Sequence, residues 1–393
     1  MSMRGSAGPI RTTAKLATAL GLPESYLRDI AARPDASRYS SVKAPAKRDG
    51  SPREVFSPST DLRVIQGRIV ERILKRPAVV RWPPYIFGGI HRKALAPGDR
   101  RDHVECASKH CGAKSILKMD ISDFFGNVTK DIVVGMFTGH FGWESAPAKL
   151  LAELCTKGGS LPQGGITSSY LALMSLYDVE PRLVAIITSK KLVYTRYVDD
   201  ITVSSKLSSY DFLPVMAMIE QALLTKGFSS NASKTSIARV GLESLQVHGL
   251  TVVNRSPALP RREVARVKSI ARQAILDARE SGRRSYGFRK RYYRSMGLVN
   301  KLARVRSGQH ASLAGRLKSI KPLPNFDDYR IATGDSFYLR EVFVSKRRTY
   351  WYFRRFNVLM SRLDLIGVEN KSWANNLRSY MKNHFRPEYE ERR

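Results

Sequence analysis

The segment Tyr197-Val198-Asp199-Asp200 places two adjacent carboxylates between stretches in which apolar residues alternate with polar ones. These stretches are residues 192–196, Leu-Val-Tyr-Thr-Arg, and residues 201–205, Ile-Thr-Val-Ser-Ser. Alternation on both sides of an acidic turn predicts a short β-hairpin with carboxylates at its tip. Such a tip can hold Mg²⁺, which prefers oxygen ligands, although an Asp-rich turn is also ordinary turn chemistry.

Acidic and glycine-rich segments elsewhere in the chain extend this pattern. A predicted strand ends at Asp120, 79 residues before Asp199. Residues 161–169, Leu-Pro-Gln-Gly-Gly-Ile-Thr-Ser-Ser, predict a loop that leads into a helix. After the hairpin come residues 231–235, Asn-Ala-Ser-Lys-Thr, and a Gly-centred strand pair around residues 247–253.

In this order the motifs resemble the palm of a reverse transcriptase, which has a strand Asp, a Pro-Gln-Gly loop, an aromatic-x-Asp-Asp hairpin, an Asn-x-x-Lys-Thr segment and a Gly-centred hairpin. The resemblance covers about residues 35–260. Within the superfamily it is strongest to the bacterial retron and defence-associated reverse transcriptases. Residues 57–66, Ser-Pro-Ser-Thr-Asp-Leu-Arg-Val-Ile-Gln, are similar to the segment that follows the fingers hairpin in retron enzymes.

Three segments depart from the usual retron pattern. Residues 98–103, Gly-Asp-Arg-Arg-Asp-His, stand where retron enzymes usually carry Asn-Ala-x-x-His. Residues 247–249, Val-His-Gly, replace Val-Thr-Gly, and residues 162–166, Pro-Gln-Gly-Gly-Ile, replace Pro-Gln-Gly-Ala-Pro. The resemblance is therefore to retron-like enzymes as a wider group.

The resemblance implies an α+β right-hand polymerase fold with fingers, an antiparallel-sheet palm, a helical thumb and a helical C-terminal extension. A chain of 393 residues is long enough for two or three domains. We divide it into an N-terminal helical element, fingers, palm, basic thumb and an extension that binds RNA or packs on the protein, at residues 1–34, 35–110, 111–255, 256–330 and 331–393.

Charge and cysteine usage restrict the partners. The net charge of +33, from 67 Lys and Arg against 34 Asp and Glu, favours a polyphosphate because each neutralised phosphate releases counterions. Residues 261–320 alone hold 17 Lys and Arg against three acids on a helical pattern, which matches a thumb that grips a primer–template duplex. An anionic membrane is the competing partner, but no stretch approaches the roughly twenty apolar residues of a membrane span. Three cysteines are too few for a disulfide framework and favour a reducing cytoplasm.

The resemblance also implies which residues carry the reaction. Asp120 and Asp199 are the expected bridging ligands of two Mg²⁺ ions, Asp200 supports them, and the backbone carbonyl of Ile121 adds a ligand. Lys234 is a candidate proton donor or charge stabiliser for the departing pyrophosphate.

Four further residues are candidates for nucleotide binding. Phe125 lies five residues after the strand Asp, where reverse transcriptases place a side chain against the sugar 2′ position, so its ring would exclude a 2′-hydroxyl and favour dNTPs. Gln163 and Gly164 fit the template- and nucleotide-facing loop, in which glycine permits close backbone approach. Arg53 is the candidate phosphate contact, in a basic fingers hairpin whose turn signal is Asp49-Gly50.

Cations alternate with aromatic residues at residues 346–356, Lys-Arg-Arg-Thr-Tyr-Trp-Tyr-Phe-Arg-Arg-Phe. Such rings can stack on the bases of a structured RNA, whereas packing in a helical core is the alternative for about half of them. The candidate RNA-binding residues are Arg347, Arg348, Tyr350, Trp351, Arg354 and Arg355.

A zinc site is a rival interpretation of one cluster. His103, Cys106, His110 and Cys111 are zinc-ligand types. The adjacent His110-Cys111 pair does not give the usual spacing of a closed structural site, so helix packing is the favoured interpretation.

These observations predict an RNA-directed DNA polymerase that copies a dedicated non-coding RNA into DNA from dNTPs. The expected setting is bacterial antiphage defence, with an effector or second protein of a defence operon as partner. An intron-encoded or diversity-generating reverse transcriptase is the alternative among enzymes, and no segment after Pro322 resembles the nuclease or zinc module of an intron protein. A catalytically silent RNA-binding scaffold is the alternative from another class, but it would have no reason to keep clustered carboxylates.

Overall fold

The computed structural model describes residues 3, 8–46, 50, 52–280 and 282–389. The chain forms two compact units, Met1–Pro257 and Ala258–Arg392. The first unit is mixed α and β and contains every acidic and glycine-rich motif of the sequence. The second unit is helical.

The described residues of the first unit form both helices and strands. Its α-helices are α1 Thr13–Leu20, α2 Glu24–Ala32, α3 Asp35–Arg38, α4 Thr60–Ile69, α5 His103–Lys109, α6 Phe124–Asn127, α7 Lys130–Gly135, α8 Ser145–Cys155, α9 Ser168–Met174, α10 Glu180–Ser189 and α11 Leu213–Leu224. Its strands are β1 Tyr39–Val42, β2 Val55–Pro58, β3 Ile86–Phe87, β4 Ser115–Asp120, β5 Val193–Tyr197, β6 Asp200–Ser205, β7 Ser236–Arg239, β8 Gln246–Val247 and β9 Leu250–Thr251.

A five-stranded sheet in the order β3-β5-β6-β4-β7 forms the centre of this unit. β4, β5, β6 and β7 pair antiparallel, as the predicted palm requires, and β5 and β6 form the predicted acidic hairpin. The edge strand β3 differs, because it pairs with β5 in parallel over two residues. The backbone N–H groups of Arg196 and Val198 donate to the carbonyls of Tyr85 and Phe87, which fixes this short edge beside the acidic turn.

Both faces of the central strands are buried. Leu117, Met119, Ile201 and Val203 enter the main hydrophobic core, which extends through the N-terminal helices and α8. The residues at alternate positions point to the opposite face, as the period of two in a strand requires. Packing on both faces therefore holds the strands in place, and this fixes the positions of the loops at their ends.

A small antiparallel hairpin of β1 and β2 precedes the sheet, with Tyr39 opposite Pro58 and Val42 opposite Val55. This is the predicted fingers hairpin in sequence position. The predicted turn residue Asp49, with its neighbours Lys47 and Arg48, lies outside the described residues.

The second unit contains two helical groups. The first comprises α12 Arg261–Glu280, α13 Tyr286–Arg304 and α14 Gln309–Lys318, and the second comprises α15 Phe326–Glu341, α16 Phe343–Lys346, α17 Tyr350–Ile366 and α18 Lys371–His384. Each group has its own apolar core. Arg289 on α13 donates to Asp328 on α15 at 3.0 Å, which joins the groups.

The start of α15 bears on the predicted division of the chain at residues 330 and 331. Asn325 and Asp328 form a capping box, in which each side chain accepts from the other residue's backbone N–H, and the helix then runs without a break to Glu341. The predicted division falls inside this helix.

Candidate active site

Strand pairing brings the three aspartates together. Asp120 is the last residue of β4 and lies directly opposite Asp200, the first residue of β6. Asp199 lies in the two-residue turn before Asp200. The three side chains offer carboxylate oxygens that all lie within 4.8 Å of one another. The sequence predicted the acidic turn and the strand that ends at Asp120 as separate features. The register of β4 against β6 brings their carboxylates together.

The turn between β5 and β6 has an unusual backbone. Val198 has a φ of 60°, which is the left-handed region that β-branched residues rarely adopt. The carbonyl of Asp199 accepts a hydrogen bond from the N–H of Ile121 at 3.1 Å. This bond ties the turn to the residue that follows Asp120.

The electrostatics of the cluster reflect this crowding. Burial, followed by the charge of Asp120, raises the pKa of Asp199 above its ordinary value. Burial together with the carboxylates of Asp199 and Asp120 raises the pKa of Asp200 to about 6. The Lys234 ammonium lies 2.8 Å from Asp120, and this hydrogen bond raises the pKa of Lys234. One lysine therefore compensates only part of the negative charge.

A cavity of about 530 Å³ opens beside the cluster. It contains most of the side chains that the sequence predicted for the site, namely Arg53, Asp120, Ile121, Phe125, Gln163, Gly164, Asp199 and Lys234. Asp200 lies instead on a second cavity, of about 330 Å³, which it shares with Asp120 and Lys234. The carboxylates thus face two adjoining cavities.

Five polar lining residues of the large cavity are not among the predicted site residues, namely Ser122, Asp123, Ser168, Ser169 and Asn231. Asp123 is exposed and has a φ of 38°, so it starts the short helix α6 from the left-handed region. Asn231 lies in the Asn-x-x-Lys-Thr segment, and its side chain accepts from the N–H of Ser233 at 3.1 Å. The resemblance to reverse transcriptases implied a role for Lys234 in that segment, and the Asn at the start of the same motif is the signal for Asn231.

The Gln163–Gly164 loop is attached to the fingers hairpin through the backbone. The N–H of Phe56 on β2 donates to the carbonyl of Gln163 at 2.7 Å. Gly164 has a φ of 100°, and a Cβ at this position would lie 2.2 Å from the carbonyl oxygen of Phe56. Only glycine fits there, because both the backbone conformation and the close approach exclude a side chain.

Phe125 lies in the first turn of α6 and lines the large cavity. Its ring packs edge-on against Phe124, with the ring centres 6.2 Å apart, and it remains partly exposed. Phe124 is buried and packs against Phe228. The buried neighbour fixes α6, which leaves the Phe125 ring at the cavity wall.

The donor set fits a hard divalent cation. Carboxylate oxygens are the ligands that Mg²⁺ and Mn²⁺ prefer, and the raised pKa values of Asp199 and Asp200 indicate negative charge that lacks full compensation. In the part of the chain that the structure describes, these aspartates are the one cluster of three or more metal-ligand side chains.

Comparison with known proteins agrees with the geometry. The family model for "Reverse transcriptase (RNA-dependent DNA polymerase)" matches residues 45–254. The retron Ec48 reverse transcriptase of Escherichia coli is 38% identical over 92% of this chain and 89% of its own length. The chain belongs to the reverse transcriptase family.

Further similarities extend over most of the chain. The retron Se72 reverse transcriptase of Salmonella heidelberg is 25% identical over 93% of this chain and 94% of its own. An apo telomerase structure from Candida tropicalis aligns with a TM-score of 0.37 and 10% identity, over 58% of this chain and 56% of that chain. The predicted retron-like, right-hand polymerase assignment is confirmed, and the protein is an RNA-directed DNA polymerase, an enzyme class that uses divalent metal ions.

In this reverse transcriptase, His248 occupies the position where retron enzymes usually carry Thr. Its ring packs on Tyr197 with the centres 4.5 Å apart, and its Nε2 lies 3.3 Å from the Cys106 sulfur. Burial lowers the pKa of His248 to about 4, so the ring is neutral at pH 7. Its 3.8 Å approach to Asp200 is therefore a polar contact and not an ion pair.

The His and Cys residues near α5 form a packed polar cluster. The ring nitrogens of the buried His110 each lie 2.7 Å from a hydroxyl, one of Ser204 and the other of Thr195. Cys106, Cys111 and Cys155 are free thiols. The hydroxyl contacts occupy both nitrogens of His110, which agrees with the packing interpretation of the sequence.

The C-terminal cation–aromatic segment is divided between packing and exposure. Tyr352 and Phe356 are buried in the core of the second helical group. Arg347 and Arg348 lie 3.0 and 3.1 Å from Glu388, and Arg355 lies 2.9 Å from Asp335. These three arginines are therefore already paired.

Three of the predicted RNA-binding residues are exposed and take no part in these ion pairs. Tyr350 and Trp351 are 56% and 39% exposed. Arg354 is exposed and has no hydrogen-bond or ion-pair partner among the described residues.

No helix within the described ranges is long and apolar enough to cross a membrane.

Asp200→Asn should stabilise the metal-free protein at pH 8 and have little effect near pH 4. The pKa of Asp200 is raised from 3.8 to about 6 in the folded protein, so folding loses stability as pH rises through this window. Since the side chain is half exposed, solvent screening reduces the effect, and we expect a gain of about 1 to 3 °C in melting temperature.

Thermal unfolding between pH 4 and pH 8 measures this difference, with the exposed Asp131→Asn as control. Excess Mg²⁺ should reverse the order of the two proteins, because a bound cation stabilises the complete carboxylate set. An equal shift at every pH would contradict the assigned repulsion.

Proposed function

We propose that this reverse transcriptase copies an associated non-coding RNA into DNA and serves in bacterial antiphage defence. The observation that carries the polymerase chemistry is the aspartate cluster on the wall of a cavity that also contains a cation, an aromatic ring and a glycine loop. The associated RNA is supported by the two relatives, both of which are retron reverse transcriptases.

The aspartates have distinct roles in this proposal. Asp120 and Asp199 hold two Mg²⁺ ions between them, with the Ile121 carbonyl as an additional ligand and Asp200 as support. Bound divalent ions lower the pKa of the primer 3′-hydroxyl and neutralise charge on the leaving pyrophosphate. The protein itself supplies position, because strand pairing fixes the carboxylates before substrate arrives.

Lys234 changes partner during the reaction. In the free protein its ammonium compensates Asp120 at 2.8 Å. The Lys234 side chain is 60% exposed on the same cavity. It can therefore turn toward a triphosphate when a bound cation neutralises Asp120. From there it stabilises the charge of pyrophosphate or gives it a proton.

The remaining cavity residues select and hold the dNTP. Arg53 contacts the triphosphate, and the Gln163–Gly164 backbone approaches the base pair closely. Phe125 stands against the 2′ position of the sugar. The hydrogen bond from Phe56 to Gln163 supports this arrangement, since it couples the loop to the fingers hairpin that contains Arg53.

The reaction takes place in the cytoplasm, where the free thiols stay reduced. An effector or second protein of the same operon completes the defence function. Sequencing the RNA and DNA that co-purify with the protein tests the template assignment directly. A single RNA species joined to its complementary DNA supports the proposal, and a random mixture of RNAs contradicts it.

Asp199→Asn should reduce dNTP incorporation by about a hundredfold or more, because a metal-bridging carboxylate supplies several kcal/mol of transition-state stabilisation. RNA binding should be nearly unchanged, because the basic surface is intact. Primer extension and filter binding measure the two properties, with Asp131→Asn as the matched control. Retained extension would remove Asp199 from the ligand set.

Phe125→Ala should increase the use of rNTPs relative to dNTPs, because the cavity wall would then admit a 2′-hydroxyl. Single-nucleotide incorporation of matched rNTP and dNTP pairs measures the ratio. Phe125→Tyr keeps the ring and should keep the preference for dNTPs. An unchanged ratio in the Ala variant would show that another residue forms the gate.

Tyr350→Ala with Arg354→Gln should weaken binding of the co-purifying RNA more than binding of random RNA, because stacking on exposed rings discriminates RNA structure whereas charge does not. Binding of random RNA should fall steeply with salt in every variant. Filter binding across a salt series tests both expectations.

Lys382→Gln is the control for this experiment, since it removes one charge at an exposed position of α18. Point variants are preferable to removal of residues 331–393, because that deletion would cut α15 and divide the core that α15, α17 and α18 share. Equal losses for both RNAs would mean that the segment is a generic anion surface.

A further inference from the structure

An ion pair of Arg196 and Glu180 is buried directly beneath the acidic turn. Their side chains are 0% and 1% exposed. The guanidinium donates to both carboxylate oxygens, at 2.6 Å from Nε and 2.8 Å from Nη2. The Tyr194 hydroxyl donates to the same carboxylate at 2.8 Å. The pair joins β5 to the start of α10.

The remaining donors of Arg196 bind backbone. Nη2 donates to the carbonyl of Leu173 at 2.7 Å, and Nη1 donates to the carbonyl of Val198 at 3.0 Å. Val198 is the left-handed residue of the turn that precedes Asp199. One guanidinium therefore connects a buried carboxylate to the most unusual peptide of the proposed metal site.

Val198 requires such support because a β-branched side chain disfavours the left-handed region. Its N–H donates to Phe87 at 3.1 Å, so the residue is held by hydrogen bonds at both its N–H and its carbonyl. The surroundings are also close, since a Cβ on Gly88 would lie 2.9 Å from a Val198 methyl group. The turn is held by its contacts rather than by its own conformational preference.

We propose that Arg196, held by Glu180, is a positioning residue that keeps Val198 left-handed and thereby directs the carboxylates of Asp199 and Asp200 toward one metal site. A buried ion pair is a weak source of stability, because desolvation offsets most of the attraction. An apolar pair would fill the same space, but it could not donate to the Val198 carbonyl. This inference rests on the proposed metal-dependent function.

The test removes the donor and keeps the packing. Tyr194→Phe, Glu180→Met and Arg196→Met are combined, so that no buried polar side chain of this network loses its partner. Binding of Mn²⁺ to the protein, followed by electron paramagnetic resonance, is measured together with melting temperature, kcat and the KM for dNTP. Arg182→Met, at an exposed position of α10, is the control.

The triple variant should remain folded and bind Mn²⁺ about 10- to 100-fold more weakly, as is usual when a residue that orients metal ligands is lost. kcat should fall while the KM for dNTP changes little. Adding Val198→Gly to the triple variant should restore part of the Mn²⁺ affinity, because glycine adopts the left-handed conformation without support. Val198→Gly in the wild-type background gives the reference.

Distinct outcomes overturn distinct parts of the proposal. Unchanged Mn²⁺ affinity and kcat in the folded triple variant would overturn the positioning role. Failure of Val198→Gly to restore affinity would mean that Arg196 does not act through the turn. If the triple variant does not fold, Arg196→Lys, which keeps the charge and loses the planar fork, decides the question by the same measurements.

Asp199→Asn separates this inference from the proposed function. If that variant binds Mn²⁺ as tightly as the wild type, the metal site itself is wrong and the inference falls with it. If Asp199→Asn loses Mn²⁺ and the Arg196 variants do not, the metal site stands and only the positioning role is overturned.

Discussion

The antiparallel pairing of β4 with β6 is the constraint on which the site depends. It sets Asp120 opposite Asp200 and brings three carboxylates within 4.8 Å of one another, an arrangement that electrostatics alone opposes. Apolar burial on the strands outweighs this repulsion, because Leu117, Ile201 and Val203 are almost fully buried. Hydrophobic packing therefore maintains a charge arrangement that is unfavourable until a cation binds.

The repulsion among the three aspartates is only partly compensated by neighbouring positive charge. Lys234 neutralises Asp120 from an exposed position, from which it can leave. A buried cation in direct contact with the carboxylates would stabilise the free protein more, but it would also compete with a metal ion. The buried cation nearby, Arg196, does not bind these aspartates, because its guanidinium donates to Glu180 and to backbone carbonyls. The compensating charge thus comes from Lys234, which can move away, whereas the geometry of the turn is held by Arg196, which is buried.

Much of the site could be predicted from the sequence because its determinants are local. Alternating apolar residues predicted the hairpin, and the resemblance to reverse transcriptases implied that Asp120, Gln163 and Lys234 belong with it. The support of the turn could not be predicted, since Arg196 reads as an ordinary strand residue and Glu180 begins a helix 16 residues earlier. The left-handed backbone of Asp123 could not be predicted from the sequence either, because no repeating pattern of residues marks the conformation of a single residue in a loop.

Contacts between residues distant in sequence also limited the prediction for residues 346–356. Six residues of this segment were predicted to bind RNA together, but the structure divides them into paired and unpaired side chains. Arg347 and Arg348 share Glu388, about forty residues away, and RNA phosphate would have to displace that carboxylate. Surface ion pairs of this kind are weak because solvent screens them, so the displacement costs little. Arg354 needs no displacement at all. In the proposed function, the exposed rings and Arg354 therefore make the first contact with RNA, and the paired arginines follow once phosphate replaces their partner.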